Sequence, residues 1–273
     1  MTGDIAAQDG GAEAKTPPRH VEGHAGHAGH AGHAGNVSRA TQQMDQLNRV
    51  LSTISHEIKN PLASLKLNAQ MVARAIERGR MPHAESAALL SQAVDQLDHI
   101  ASELSDAVRA DSDHLALALK PVNVGALLQR VASDATTRYG RPIVTDLPTN
   151  QLLAQADESR IIQALGYVLA NAVKYTPTQN AITLSARREK GRIRVETRDQ
   201  GPGIAASDLP NLFEPFYRGQ TPPQPQADEG ADLGLGLYIA QRIVERHGGV
   251  MGAKPAPDQG AIVWFTLPQA SCS

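Results

Sequence analysis

The chain has 273 residues, 41% of them apolar, and a formal net charge of -2. That length suits one large or two modest domains, and the charge gives no case for nucleic acid or an anionic membrane surface. A single cysteine, Cys272, excludes a disulfide framework, and without a long apolar run the sequence predicts no membrane span and no signal peptide, so a cytoplasmic protein is expected.

Residues 1–37 are rich in Gly, Ala, His and Pro and are expected to be a disordered tail. Within it His24, His27, His30 and His33 repeat as His-Ala-Gly. Imidazoles suit zinc, nickel or copper, and a slipped low-complexity repeat without function is the weightier alternative.

A first long helix is expected from Ser38, a plausible N-cap, to a stop at Gly79. Its apolar stripe is Leu47, Leu51, Ile54, Ile58 and Leu62. His56 lies about 200° around the helix from both Ile54 and Ile58, so it faces solvent, with Glu57 beside it and Asn60 one turn on along the same face. Pro61 is expected to bend the helix just after the histidine. A second helix, 84–110, carries Leu90, Val94, Leu97, Ala101, Leu104 and Val108 on one face. The two form a hairpin that buries little alone. Pairing with a second copy into a four-helix bundle would cover both stripes, so a homodimer is expected over 38–112.

A polar break, Asp111-Ser112-Asp113-His114, marks the domain boundary. The region 113–270 mixes strands and helices: a strand within 115–122, a helix at 124–139, a strand at 142–147, and a helix from Asp157 or Ser159 to about Lys174. A hairpin over 181–187 and 192–198 turns at Lys190-Gly191, a helix runs 236–247, and a strand over 261–267 closes the chain. Mostly antiparallel strands with helices on one face make an α+β sandwich.

Four stretches here carry chemistry. Asn171 sits at a helix end with Lys174 and Tyr175; its amide oxygen is a hard, neutral ligand suited to Mg2+, and the lysine can neutralise phosphate. Asp199-Gln200-Gly201-Pro202-Gly203 follows a strand, where a carboxylate can accept from an adenine amino group and glycines admit close approach. Phe213 and Phe216, with Tyr217 and Arg218, precede a proline-rich segment, 220–231, that reads as a lid. Gly234-Leu235-Gly236-Leu237 opens a helix, where backbone N–H groups make an anion site.

In this order and spacing, the exposed histidine, the Asn-bearing helix end, Asp-x-Gly-x-Gly, Phe-x-x-Phe and Gly-Leu-Gly-Leu resemble the sensor histidine kinases of two-component systems over about residues 40–270. The resemblance implies a dimerising phosphotransfer hairpin followed by a Bergerat-type ATP-binding domain. It implies His56 as phosphoaccepting nucleophile, Glu57 as the residue that orients or deprotonates it, and Asn60 as support for phosphatase activity. Asn171 is the implied Mg2+ ligand and Asp199 the adenine anchor, with Gly201 and Gly203 beside it. Lys174 and Arg218 would meet phosphates, Tyr175 the nucleotide, and the 234–237 stretch the phosphate chain; the acceptor would be an aspartate on a response regulator. Two positions depart from the family pattern. Tyr167 replaces the usual asparagine one turn before Asn171 and is expected to face the same region, and Leu233 replaces a hydroxyl residue before Gly234. Gyrase-like and chaperone-like ATPases place a water-activating glutamate where Tyr167 stands, which counts against a pure hydrolase. A non-catalytic scaffold is the third reading, and the intact His56, Asn171 and Asp199 count against it.

Overall fold

A computed structural model describes residues 30–81, 83–111, 117–219 and 233–270, with side chains described at Met44, Asn48 and from Val50 onward. The chain divides into two units, residues 1–47 and 48–273; the described part of the first is the helical backbone from His30. The His-Ala-Gly side chains, the lid segment and Cys272 lie outside the described residues.

Helix α1 spans His30–Glu77, so it begins eight residues before the expected Ser38 cap and takes in the end of the expected tail. Local cap chemistry at Ser38 does not start it; the helix already runs through that position. It also continues through Pro61, which is buried inside it and forfeits one intrahelical bond. The expected stop holds: Gly79 is left-handed, Gly79 N–H donates to Ile76 O at 2.9 Å and Arg80 N–H to Ala75 O at 2.9 Å, a Schellman closure. A short connection leads to α2, Ala84–Asp111.

Along this hairpin the expected stripes are only partly covered. Ile54, Ile58, Leu104 and Ala107 pack against the main core, and Ile100 and Ala110 belong to it. Leu51, Leu62, Leu67, Met71, Ile76, Val94 and Val108 are exposed, Val108 by 71%. Among the described residues, no helix is long and apolar enough to cross a membrane.

The rest is a mixed sheet covered by three helices. Strand β1 (Lys120–Asn123) pairs antiparallel with β3 (Leu153–Ala156). Five further strands form a sheet in the order β2-β4-β5-β7-β6, with β2 (Ile143–Asp146) parallel to β4 (Ile182–Glu189) and every other pairing antiparallel. Strands β5 (Arg192–Arg198), β6 (Met251–Pro255) and β7 (Ala261–Pro268) complete it. Helices α3 (Val124–Tyr139), α4 (Glu158–Tyr175) and α5 (Gly236–Arg246) lay their apolar faces on the sheet. The core is aliphatic: Leu128, Leu165, Leu169, Ile182, Leu184, Ile193 and Leu267 are fully buried. The expected strand within 115–122 is shorter, and β3 and β6 were not expected. Strand β3 is short and fixed by β1, distant in sequence, while β6 is the short first arm of a hairpin with β7.

One polar group crosses this core. His247, 4% exposed, follows α5; its Nε2 accepts from Asp157 N–H at 3.0 Å, and its Nδ1 donates to Ile243 O at 2.7 Å. Asp157 is the N-cap of α4, its Oδ1 accepting from the N–H groups of Ser159 and Arg160. The imidazole is therefore neutral and locked between two helices. Burial lowers its pKa, against the Ile243 carbonyl and the Asp157 charge. In the unfolded chain histidine protonates near pH 6.5, so this group's stabilisation is complete above that value and is lost as pH falls toward the lower folded pKa. Urea midpoints measured between about pH 7.5 and pH 5.5 should fall for the native chain, and His247→Gln should flatten that dependence. Parallel curves for the two proteins would refute the assignment.

Candidate functional site

The site forms where α4 ends, β5 ends and α5 begins. Helix α4 carries the half-buried Asn171, Lys174 and Tyr175 on successive turns, and the Lys174 ammonium lies 5.3 Å from the Tyr175 ring centroid. The helix end is held by a residue that sequence reasoning missed. Arg141, 4% exposed, donates from Nη1 to Val173 O and Thr176 O, and from Nη2 to Pro177 O at 2.7 Å and to Asn180 O. One guanidinium thus takes up the carbonyls that a helix C-terminus leaves open, and burial lowers its pKa. Its only sequence signal is a lone arginine before Pro142.

Asp199, 8% exposed, stands at the end of β5. Its Oδ1 accepts from Gly201 N–H at 2.9 Å and Ala261 N–H at 3.1 Å, while its own N–H donates to Ala261 O. Burial raises the carboxyl pKa and these two donors lower it. Among the described residues no donor pairs with Oδ2. The backbone packs too closely for side chains: a Cβ on Gly201 would lie 2.7 Å from Tyr175 O, and one on Gly260, at φ +94°, would lie 2.1 Å from Asp199 O. Asn180 Nδ2 donates to Gln200 O, tying the loop after α4 to the Asp199 turn. Gly260 was also missed, because its role depends on contact with a strand end 61 positions earlier.

Phe213 and Phe216 are partly buried against the core. Phe216 N–H donates to Gly234 O at 3.1 Å, and a Cβ on Gly234 (φ +71°) would lie 2.5 Å from Tyr217 O. The aromatic stretch and the glycine stretch are therefore joined. Leu233 is 0% exposed, Leu235 1% and Leu237 9%. The side chains of these leucines are core residues, which leaves the backbone N–H groups and the two glycines for the anion site expected over 234–237. Leu235 is the α5 N-cap and offers no side-chain cap to the first-turn N–H groups.

On the hairpin, His56 and Asn60 are exposed and their Nδ1 and Nδ2 atoms are 3.4 Å apart. Glu57 points elsewhere: Arg218 Nη1 donates to its Oε1 at 2.8 Å. The expected partner of the imidazole, Glu57, thus engages the guanidinium, and the Asn60 amide meets the ring. Tyr167 also departs from expectation. Its ring borders the glycine stretch, 3.1 Å from where a Gly236 Cβ would sit, but its hydroxyl donates to Asp106 Oδ2 on α2 at 2.7 Å. Burial, and then Asp106, raise its pKa far above the ordinary phenol range, so the oxygen stays protonated.

A buried acid between two strand ends, a polar helix end and a glycine-opened helix, all on one side of a mixed sheet, define a Bergerat-type nucleotide domain behind a histidine-bearing hairpin. Residues 46–113 match the family model of the His Kinase A (phospho-acceptor) domain, and residues 156–271 that of the histidine kinase-, DNA gyrase B- and HSP90-like ATPases. The sensor histidine kinase ZraS of Klebsiella oxytoca is 32% identical over 224 residues, which are 81% of this chain and 46% of that protein. The sensor protein kinase PmrB of Pseudomonas aeruginosa is 29% identical over 223 residues, 81% of this chain and 45% of that protein. Among solved structures, full-length ShkA in complex with AMPPNP is similar with TM-score 0.58 and 25% identity, covering 83% of this chain and 46% of that one. The chain spans about half the length of the curated relatives it matches. It belongs to the sensor histidine kinases of two-component systems.

The glycine geometry sets a graded test. Gly260→Ala should lower stability by about 1–3 kcal/mol and weaken binding of a fluorescent ATP analogue, since a strained backbone and a blocked Asp199 coincide. Gly166→Ala, mid-α4 with nothing within 4 Å of its Cβ, should stabilise by roughly 0.5–1 kcal/mol. Equal melting shifts for the two would contradict this packing.

Proposed function

We propose that the chain is an ATP-dependent protein-histidine kinase that phosphorylates His56 and passes the phosphoryl group to an aspartate of a response-regulator receiver domain. The observation that carries this reading is the Arg218–Glu57 ion pair, which ties the nucleotide-type domain to the residue beside an exposed histidine.

Within this reading Asp199 anchors adenine. Its Oδ1 is committed to backbone donors, so Oδ2 accepts from the exocyclic amino group. Gly201 and Gly203 shape the floor, and Tyr175 flanks the base. The amide oxygen of Asn171 would hold Mg2+, which would supply positive charge to the phosphate chain. Lys174 and Arg218 supply positive charge, and the N–H groups opened by Gly234 and Gly236 receive the phosphate chain. When phosphate draws Arg218 away, the Glu57 carboxylate becomes available to take the imidazole proton. The His56 Nε2 lone pair forms the bond to the γ-phosphorus, the bond to the bridging oxygen breaks, and ADP leaves with those electrons. The work of the protein is positioning and charge stabilisation. Asn60, in contact with the ring, supports the reverse task of holding a water in line with a phosphoaspartate, a phosphatase activity. Where gyrase-like enzymes hold a glutamate, Tyr167 presents a protonated, engaged hydroxyl, which favours transfer to His56 over water.

The domain assignment follows: a dimerisation and phosphotransfer region to about residue 112, and a catalytic ATP-binding region over 113–270. The exposed Leu51, Leu62, Leu67, Met71 and Val94 are suited to a homodimeric four-helix bundle, and ATP chemistry with an intracellular regulator supports a cytoplasmic position for this part of the protein.

Incubation with γ-labelled ATP should yield acid-labile, base-stable label on the native chain and none on His56→Gln, which should still bind nucleotide. Undiminished label on the variant would sink the assignment. Asp199→Ala should weaken binding of a fluorescent ATP analogue tenfold or more, since a hydrogen bond to a charged group contributes roughly 1.5–3 kcal/mol. Asn60→Ala should slow dephosphorylation of the regulator while sparing His56 labelling; equal rates would remove its role.

A further inference from the structure

The two parts of the site, histidine and nucleotide loop, stand on different domains, so something must fix their relative height. Counted from the turn, His56 lies 21 residues before the end of α1 and Asp106 lies 22 residues after the start of α2. At 1.5 Å per residue the two stand level on the hairpin. Asp106 is the residue that receives the Tyr167 hydroxyl, at 2.7 Å. Tyr167 in turn lies one helical turn before Asn171 on α4, and its ring edge borders Gly236 at the mouth of α5. A single side chain thus touches the glycine stretch with its ring and the hairpin, at the height of His56, with its oxygen. Neighbouring contacts continue the same seam: Tyr238 Oη donates to Asp111 Oδ1 at 2.5 Å and Arg242 Nε to the same oxygen at 3.1 Å.

We infer that Tyr167 is a positioning residue for phosphoryl transfer, with its hydrogen bond to Asp106 setting the nucleotide loop level with His56. The inference rests on the kinase reading. The ring packs against a glycine and needs no polar group there; the hydroxyl also meets Gln163 on its own helix, but its bond to Asp106 is the one that crosses the domain boundary. A tie to a carboxylate is stronger and more directional than one between neutral groups, so it fixes position. A misplacement of about 1 Å at the reacting atoms is enough to cost a large factor in rate. Tyr167 makes no contact with the candidate nucleophile and is expected to leave nucleotide affinity alone.

The test uses the full chain with Tyr167→Phe, Asp106→Ala and the double variant, measuring initial His56 labelling against ATP concentration and binding of a fluorescent ATP analogue. Each single variant should lower the maximal rate roughly tenfold with KM and nucleotide affinity unchanged, and the double variant should be no slower than the slower single. Rates within twofold of the native chain, a matching loss of nucleotide affinity, or losses that multiply in the double variant would each overturn the inference. Hydrogen exchange on the same proteins separates this from failure of the kinase reading. Faster exchange of residues 100–111 in Tyr167→Phe, with β4 and β5 unchanged, upholds the tie even if the native chain takes no label; unchanged exchange overturns it.

Discussion

The geometry of the nucleotide end depends on one carboxylate oxygen. Asp199 Oδ1 accepts from the amides of Gly201 and Ala261, so one atom closes the turn leaving β5 and pins the chain entering β7. Burying an acid is costly unless its oxygens are satisfied, and here backbone donors supply that satisfaction at fixed distances. The cost is visible in the raised carboxyl pKa, which the two amides reduce but do not cancel. The arrangement requires Gly260, since any Cβ there would strike Asp199 O. From this point the Gly201 backbone reaches the end of α4, whose open carbonyls Arg141 gathers in turn. Acid, glycines and guanidinium are therefore one continuous support under Asn171, Lys174 and Tyr175.

The seam to the hairpin is built differently. Glu57, Asp106 and Asp111 meet Arg218, Tyr167, Tyr238 and Arg242, most of them on partly exposed side chains. Two of these are partly solvated ion pairs, Arg218–Glu57 and Arg242–Asp111, of a kind that contributes about 0–1 kcal/mol each. Such ties orient two bodies without fusing them, which suits the proposed reaction, in which the nucleotide domain approaches His56 and then leaves it clear.

What could be read from the sequence was what is encoded locally. Helix α3 over 124–139, the β4–β5 turn at Lys190-Gly191, the Gly79 stop and the solvent-facing His56 each follow from periodicity or a single special residue. The place of Asp199 at a strand end follows from its motif. The rest depends on partners far away in the chain. Strand β3 exists because β1 pairs with it. Arg141 meets carbonyls 32 to 39 positions on, and Arg218 meets Glu57 across 161. Leu233 looked like a lost hydroxyl at a phosphate site, yet it is a core residue, because side-chain direction at the entry to α5 was not legible.

The hydrogen bond from Phe216 to Gly234, with the Gly234 backbone lying against Tyr217, has a consequence for how such chains can diverge. The two ends of the intervening stretch are fastened by groups outside it, so closing the loop does not depend on what the stretch contains. The entropy of closure grows only with the logarithm of length, about 0.6 kcal/mol for each doubling. Insertions and deletions between Gly219 and Leu233 should therefore be tolerated far better than any substitution at the fastening itself. In a set of related chains, length should vary here while the glycine stays.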